Sequence, residues 1–274
     1  MKFLILICIL ILLFSCGDDG FKKYEKLEQF RVLGIIADTP EVNDSQAVVT
    51  LTPVVSDISS QGREITISIN ACVDPGVSRG AEVTCEEGTL TQEVIYNSGN
   101  AVDLNATLGA SLFTGAMPNV SITLPSDILT GKTIFEQYNG VDYLVILDFK
   151  SGGESLIKSL KRIKVSSRPV KNSNPVLGTM SNLSLSSSVQ DLKVTNSSSK
   201  ETFDFFSLSG NLEQKDEVMY LTWFTSSGEI NNSQVYVDEP TKVTFASNLP
   251  AEAVVVVLLR DGRGGLDFNV VYLN

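Results

Sequence analysis

The 274-residue chain contains no histidine. That removes the commonest general base and the commonest metal ligand, so Ser-His-Asp chemistry, Cys-His chemistry and His-ligated zinc or iron are excluded. Basic charge is scarce as well: 21 Lys and Arg stand against 32 Asp and Glu, for a formal net charge of −11. Phosphate-backbone binding needs clustered Lys and Arg, so nucleic acid is not expected as a partner. No Asp-x-Asp-x-Asp-Gly run is present, which leaves scattered acidic residues (Asp57, Asp74, Glu86, Glu87, Asp103, Asp127, Asp238) as the weak remaining case for calcium. Solvated acidic loops are the simpler reading of those residues. Long amphipathic helices are missing too. What remains is 43% hydrophobic residues with 20 Gly and 9 Pro, a globular composition long enough for two cores.

The N-terminus has a pattern of its own. Lys2 is followed by an almost unbroken apolar run over residues 3–14, the length of a signal-peptide core and short for a membrane span of about 20 residues. Leu13-Phe14-Ser15-Cys16 then resembles the lipobox of bacterial lipoproteins, with a small residue before the acceptor Cys. The expectation is a signal peptide over 1–15, a lipid-modified Cys16, and a polar tether over 16–29. The alternative is a plain secretory signal or an uncleaved anchor. Gly17, where enteric lipoproteins retained at the inner membrane carry Asp, favours a lipid anchor in the outer membrane of a bacterial envelope. With Cys8 removed and Cys16 acylated, Cys72 and Cys85 remain as an even pair in an oxidising compartment. They are expected to form a disulfide, worth on the order of 3 kcal/mol in the chain-entropy model; two free buried thiols are the alternative.

In the body, residues 64–71 alternate strictly, with Ile65, Ile67, Ile69 and Ala71 on one face, which is the pattern of a half-buried strand. The same period recurs at Val49, Leu51 and Val55, and at Val120, Ile122 and Leu124. Residues 143–149 are apolar but for Asp148, which suits a strand buried on both faces. After the turn Ser151-Gly152-Gly153-Glu154, apolar parity shifts around Lys161-Arg162, as a β-bulge there would produce. Residues 127–138 fit a helical turn or a loop, and 101–116 are ambiguous. A Ser, Asn, Pro and Lys rich stretch suggests a linker over 169–175. Beyond it, 203–208, 218–224, 243–245 and 253–259 read as strands. Asp261-Gly262-Arg263-Gly264-Gly265 is a hairpin loop leading into Leu266, Phe268, Val270 and Tyr272 on one face. Both halves end in an apolar strand, a Gly-Gly turn and an alternating strand. The reading is an all-β fold of two tandem immunoglobulin-like β-sandwich domains, over 30–168 and 176–274.

Several segments carry a resemblance. Phe30-Arg31-Val32-Leu33-Gly34-Ile35-Ile36-Ala37 with Pro40-Glu41-Val42, the turn Ala71-Cys72-Val73-Asp74-Pro75-Gly76, Lys161-Arg162-Ile163-Lys164-Val165-Ser166, Asn174-Pro175, Leu221-Thr222-Trp223-Phe224 and Arg260-Asp261-Gly262-Arg263-Gly264-Gly265 resemble uncharacterised lipoproteins of predatory and gliding bacteria such as myxobacteria and bdellovibrios. The resemblance covers nearly the whole mature chain and implies immunoglobulin-like domains and a surface location. It brings no activity and no catalytic residues to transfer.

Candidate chemistry is sparse. The Gly-rich 260–265 stretch invites comparison with phosphate-cradling loops, but those precede a helix, and here an alternating strand follows; Arg260 and Asp261 suggest a local ion pair. Ser155 and Lys158 have the spacing of a Ser-x-x-Lys pair, yet on a regular strand they point to opposite faces. Trp223, sharing a face with Met219 and Leu221, is expected to plug a core. No catalytic residue, cofactor-binding residue or metal ligand is assigned. The expected function is a membrane-anchored, non-catalytic binding or adhesion module with a protein or glycan ligand; the alternatives are a structural accessory lipoprotein and, more remotely, a glycan-active enzyme with two facing carboxylates. Mass spectrometry of the membrane fraction is expected to find residues 1–15 missing and fatty acid on Cys16, and Cys16→Ser to move the protein to the soluble fraction. A mature N-terminus free of fatty acid, or Met1 still in place, contradicts this.

Overall fold

The computed structural model describes residues 24–58, 63, 65–76, 84–85, 90–96, 113–117, 119–185, 189–195, 197–246 and 252–273. The leader, Cys16, Glu86, Glu87 and Asp103 lie outside them. The first half contains β1 (Arg31–Ala37), β2 (Glu41–Val42), β3 (Val48–Asp57), β4 (Ile65–Val73), β5 (Leu90–Tyr96), β6 (Phe113–Ala116), β7 (Val120–Thr123), helix α1 (Ile134–Asn139), β8 (Val141–Ser151) and β9 (Glu154–Val165). One sheet runs β1-β3-β6 with β7 also on β3; the other runs β2-β9-β8-β4-β5, with β2 parallel to β9. The second order is the G-F-C-C′ order of a variable-type immunoglobulin sandwich, extended by a short first-strand segment. The alternating residues meet where the sequence places them: Val49, Leu51, Val120 and Ile122 on one sheet face Ile65, Ile67, Ile69 and Ala71 on the other.

The second half repeats the plan. It contains β10 (Thr179–Met180), β11 (Val189–Leu192), β12 (Val194–Thr195), β13 (Thr202–Phe206), β14 (Leu212–Asp216), β15 (Tyr220–Thr225), β16 (Glu229–Ile230), β17 (Gln234–Tyr236), β18 (Thr241–Thr244), β19 (Ala253–Arg260) and β20 (Leu266–Leu273). The sheet β17-β15-β19-β20 reproduces the C′-C-F-G order, and β10-β12 with β11-β18-β16 face it. Trp223 is fully buried between these layers beside Met219 and Leu221, with no hydrogen-bond partner for its indole N–H. The hairpin β13–β14 is inserted before β15 and projects from this sandwich. Among the described residues the fold is therefore all-β apart from one short helix.

The runs buried on both faces explain how the halves join. In β8, Tyr143, Val145, Leu147 and Phe149 fill the first core, while Leu144 and Ile146 lie beneath the Cys72–Cys85 disulfide, whose Cα atoms are 5.8 Å apart. In β19, Ala253, Val255, Val257 and Leu259 fill the second core. The opposite face, Val254, Val256 and Leu258, joins Phe224 and Leu266 in packing against Leu33 and Val54 of the first sandwich. The outer face of one sandwich is thus the inner layer of a four-sheet stack. Leu27, within the stretch read as tether, is fully buried in this layer; its N–H donates to the Thr225 carbonyl at 2.9 Å. The end of that stretch is part of the fold, because an apolar residue there has a buried layer to join.

Two expectations about β9 are corrected. The strand runs without interruption through Lys161-Arg162, which pair with Val145 and Leu144; the irregularity lies where Phe149 and Lys150 pair with Ile157 and Ser155, skipping Leu156. The parity misled because Lys161, a charged residue, occupies an inward position and is buried, while Leu160 is exposed. The displaced bulge also brings Ser155 to the same face as Lys158, where a regular strand would separate them. The ambiguous 127–138 stretch forms a turn and then α1, started by a capping box between Thr133 and Glu136.

Close approach of the halves requires Gly34. A Cβ there would lie 2.6 Å from Leu266 Cδ2 and 2.8 Å from Leu258 Cδ2. Gly34→Val is expected to destabilise the chain by about 1–3 kcal/mol through overpacking, measured by denaturant titration. A variant as stable as the parent would mean the shared layer is loosely packed.

Candidate functional site

The site grows from the β19–β20 turn. Gly262 and Gly264 take positive φ of 73° and 107°, and Gly265 leaves room for a carboxylate: a Cβ there would lie 2.2 Å from Asp261 Oδ2. Asp261, 1% exposed, accepts hydrogen bonds from the N–H groups of Arg263 (2.7 Å) and Gly265 (2.9 Å) and from Asn172 Nδ2 (2.7 Å). The turn is a hairpin, as the sequence indicates, but the expected Arg260–Asp261 pair gives way to longer-range partners. Arg260 donates to Thr222 Oγ1 and to the Leu33 carbonyl, both at 2.9 Å.

Arg263 then reaches across the interface. Its guanidinium lies 2.9 Å from Glu217 Oε1 and 3.2 Å from Glu41 Oε2, with Glu201 at 3.8 Å. Glu41, 1% exposed, also accepts from Ser166 Oγ and from the Asn172 N–H, and Arg168 stands 3.6 Å away. Burial pushes the Glu217 carboxyl above the usual carboxylate range, opposed by the Glu201 N–H and by Arg263. The 169–175 stretch is bolted down: Asn174 donates to the Ala37 carbonyl and accepts from the Leu266 N–H.

Aromatic rings continue the assembly. Arg168 stacks between Tyr138 (5.7 Å) and Phe203 (5.6 Å), and Arg263 lies over Phe203 at 4.2 Å. Phe206 contacts Phe135 and Tyr138, and Asn139 exchanges two hydrogen bonds of 2.7 Å with the Phe206 backbone. α1 of the first sandwich and β13–β14 of the second are thereby locked together. Between them opens a cleft of about 510 Å³, lined by Arg162, Lys164, Arg168, Phe203, Phe205 and Lys215 among others. A wider groove of about 790 Å³ lies in the second sandwich, floored by Met219, Leu221 and Val194.

The cleft lies far from the N-terminal segment. That segment hydrogen-bonds to Thr225, at one end of β15, whereas the cleft begins just past Arg260, which pairs with Tyr220 at the other end. Five strand steps separate the two ends, about 17 Å.

Three of the remaining sequence candidates have partners. Ser155 donates to Asp148 Oδ1 at 2.6 Å. Asp57 is held by Arg63 and Asp74 by Arg162. Burial raises the pKa of Asp74, but hydrogen bonds from Arg162 and the Gly76 N–H, with the charges of Arg162 and Lys164, leave it lowered overall. Glu41 and Glu217 share Arg263 instead of facing each other across the opening. Among the described residues, no three His, Cys, Asp or Glu side chains are grouped as a metal site, and no helix is long and apolar enough to cross a membrane.

No protein-family model and no curated protein matches this chain. Among solved structures, dimeric latent PorU from Porphyromonas gingivalis is similar at 10% identity and a TM-score of 0.28, over 90% of this chain and 24% of that one. The chain thus spans about a quarter of the length of PorU.

Lys161 gives the interface a pH signature. Its amine donates to the Gly264 carbonyl, and burial lowers its pKa to about 8, against the attraction of Asp261 and with the repulsion of Arg260. Between pH 8 and the ordinary value of 10.5, the unfolded chain binds more protons at this group, so stability rises with pH across that window. Lys161→Met is expected to remove that rise and to be more stable than the parent at pH 7, by on the order of 1–3 kcal/mol. Denaturant titrations at pH 7 and 9.5 check this, and an unchanged pH dependence contradicts it.

Proposed function

We propose that the protein is a lipid-anchored, non-catalytic binding module of the bacterial envelope, holding the cleft between its two immunoglobulin-like sandwiches toward a ligand. The observation that carries this reading is the position of the cleft: its walls are fixed by buried ionic and aromatic contacts, and it opens at the end remote from the N-terminal segment. Anchoring at Cys16 in the outer membrane would leave that end outermost. Loops at the end of a rigid sandwich are the usual place for binding residues.

A scaffold that assembles by edge pairing through β20 is disfavoured. The Phe268 and Val270 N–H groups are occupied by the Asp267 and Asn269 side chains, each at 2.8 Å. Such capping blunts an edge strand.

A photo-crosslinking residue placed at Glu213, which is exposed and pairs with Phe205 beside the cleft, and separately at Tyr24 near the anchored end, tests the reading in living cells. Adducts are expected from position 213 and not from position 24. Adducts from position 24 alone, or from neither, contradict the reading.

A further inference from the structure

Cations gather in the cleft of a chain that is otherwise strongly acidic. Arg162, Lys164, Arg168, Lys215 and Arg263 line it against the carboxylates of Glu41 and Asp142. Some of this charge is answered internally: Lys164 pairs with Asp142 at 2.7 Å and Arg263 with Glu41 and Glu217. Arg162 and Arg168 are answered in part, by Asp74 and by Glu41 at 3.6 Å, and donors remain on both and on Lys215. Lys215 is exposed and pairs across the hairpin with Phe203, which places both on one face. Arg162 spends its Nε on Asp74 and leaves its side chain 45% exposed. Arg168, with only 8% of its side chain exposed, has an Nε–H with no hydrogen-bond partner.

A buried donor without an acceptor is costly, and in a cation-lined opening an anionic oxygen would complete it. The same wall carries Phe205, half-buried, its ring centroid 6.4 Å from that of Phe203. An aromatic beside cations suits a ligand with an apolar face and a charged substituent, as a sugar ring with an acidic group has. The opening, about 510 Å³, falls in the range of small-ligand sites, roughly 300–1,000 Å³. A folded protein partner would instead need an interface above about 1,000 Å².

We propose that this cleft binds an acidic saccharide, whose carboxylate, sulfate or phosphate group is held by Arg168, Arg162 and Lys215 while its ring lies on Phe205. This rests on the binding-module reading and adds the class of ligand. Because the chain carries a net charge of −11, it repels polyanions as a whole, and retention of a polyanion reports the cleft.

The test uses the mature lipoprotein in neutral detergent, with polygalacturonate, dextran sulfate and phosphomannan as carboxylate, sulfate and phosphate arms. Neutral dextran and inorganic phosphate are the controls. Binding of at least one acidic polysaccharide is expected, with none of neutral dextran, weakening at least tenfold between 50 and 300 mM salt. The double variant Arg162→Ala with Lys215→Ala should lose about tenfold or more, by analogy with other charge-assisted contacts. Phe205→Ala should weaken the saccharide and leave inorganic phosphate unchanged. Equal binding of neutral dextran, binding unaffected by the double variant, or phosphate binding as tightly as the saccharide overturns the proposal. If acidic saccharides fail while crosslinks at position 213 persist in cells, the ligand class falls and the binding-module reading stands; if both fail, both fall.

Discussion

Ala253-Val254-Val255-Val256-Val257-Leu258-Leu259 is a strand that must hide two faces, and the rest of the architecture follows from that demand. One face is satisfied within the second sandwich, around Trp223 and Phe245. The other needs a partner that the second sandwich does not supply, and Leu33 and Val54 of the first sandwich provide it. Each large apolar side chain so hidden contributes about 1.5–3 kcal/mol, and eight of the described residues are buried in this layer. Two domains joined only by a short linker would be free to reorient; here the linker is a seam between sheets that already share a core.

Polar groups at the edge of that layer are where a cleft becomes possible. Once the sheets are stacked, Glu41, Glu217 and Asp261 are carried out of water and need partners, and Arg263, Arg168 and Asn172 supply them. Such a network is weak evidence of stability in itself, since desolvation offsets much of the attraction. Its effect is geometric. Removing one partner strands a buried charge, so the two guanidinium groups and the rings they stack on, Tyr138 and Phe203 for Arg168 and Phe203 for Arg263, have a single good arrangement. α1 and the β13–β14 hairpin are held at a set separation, and the opening between them is a property of the fold.

Elements whose cause is local were legible in the residues. The alternation of Ile65, Ile67, Ile69 and Ala71, the two-faced runs in β8 and β19, the glycine turns and the Cys72–Cys85 pairing all follow from short-range pattern or simple arithmetic. The site was not legible, because its partners are remote: Arg263 and Glu41 are 222 residues apart, and neither has a neighbour in sequence that marks it. Lys161 shows the same limit from the other side. A lysine on the inward face of β9 breaks the period of the strand unless the Gly264 carbonyl of the second sandwich is known to await it. Leu27 looked like tether because the surface it joins is built by Phe224 and Val256, far along the chain. The 260–265 stretch was the one signal in hand, conspicuous for its glycines, and its arginine and aspartate proved to matter more than its resemblance to an anion loop.

If the shared apolar layer governs the molecule, the two sandwiches cannot melt separately. Scanning calorimetry of the intact chain is the direct measurement: the account predicts one transition whose van't Hoff and calorimetric enthalpies agree. Two resolved transitions, with residues 30–168 and 176–274 losing structure at different temperatures, would show that the sandwiches merely touch and that the cleft between them is not fixed.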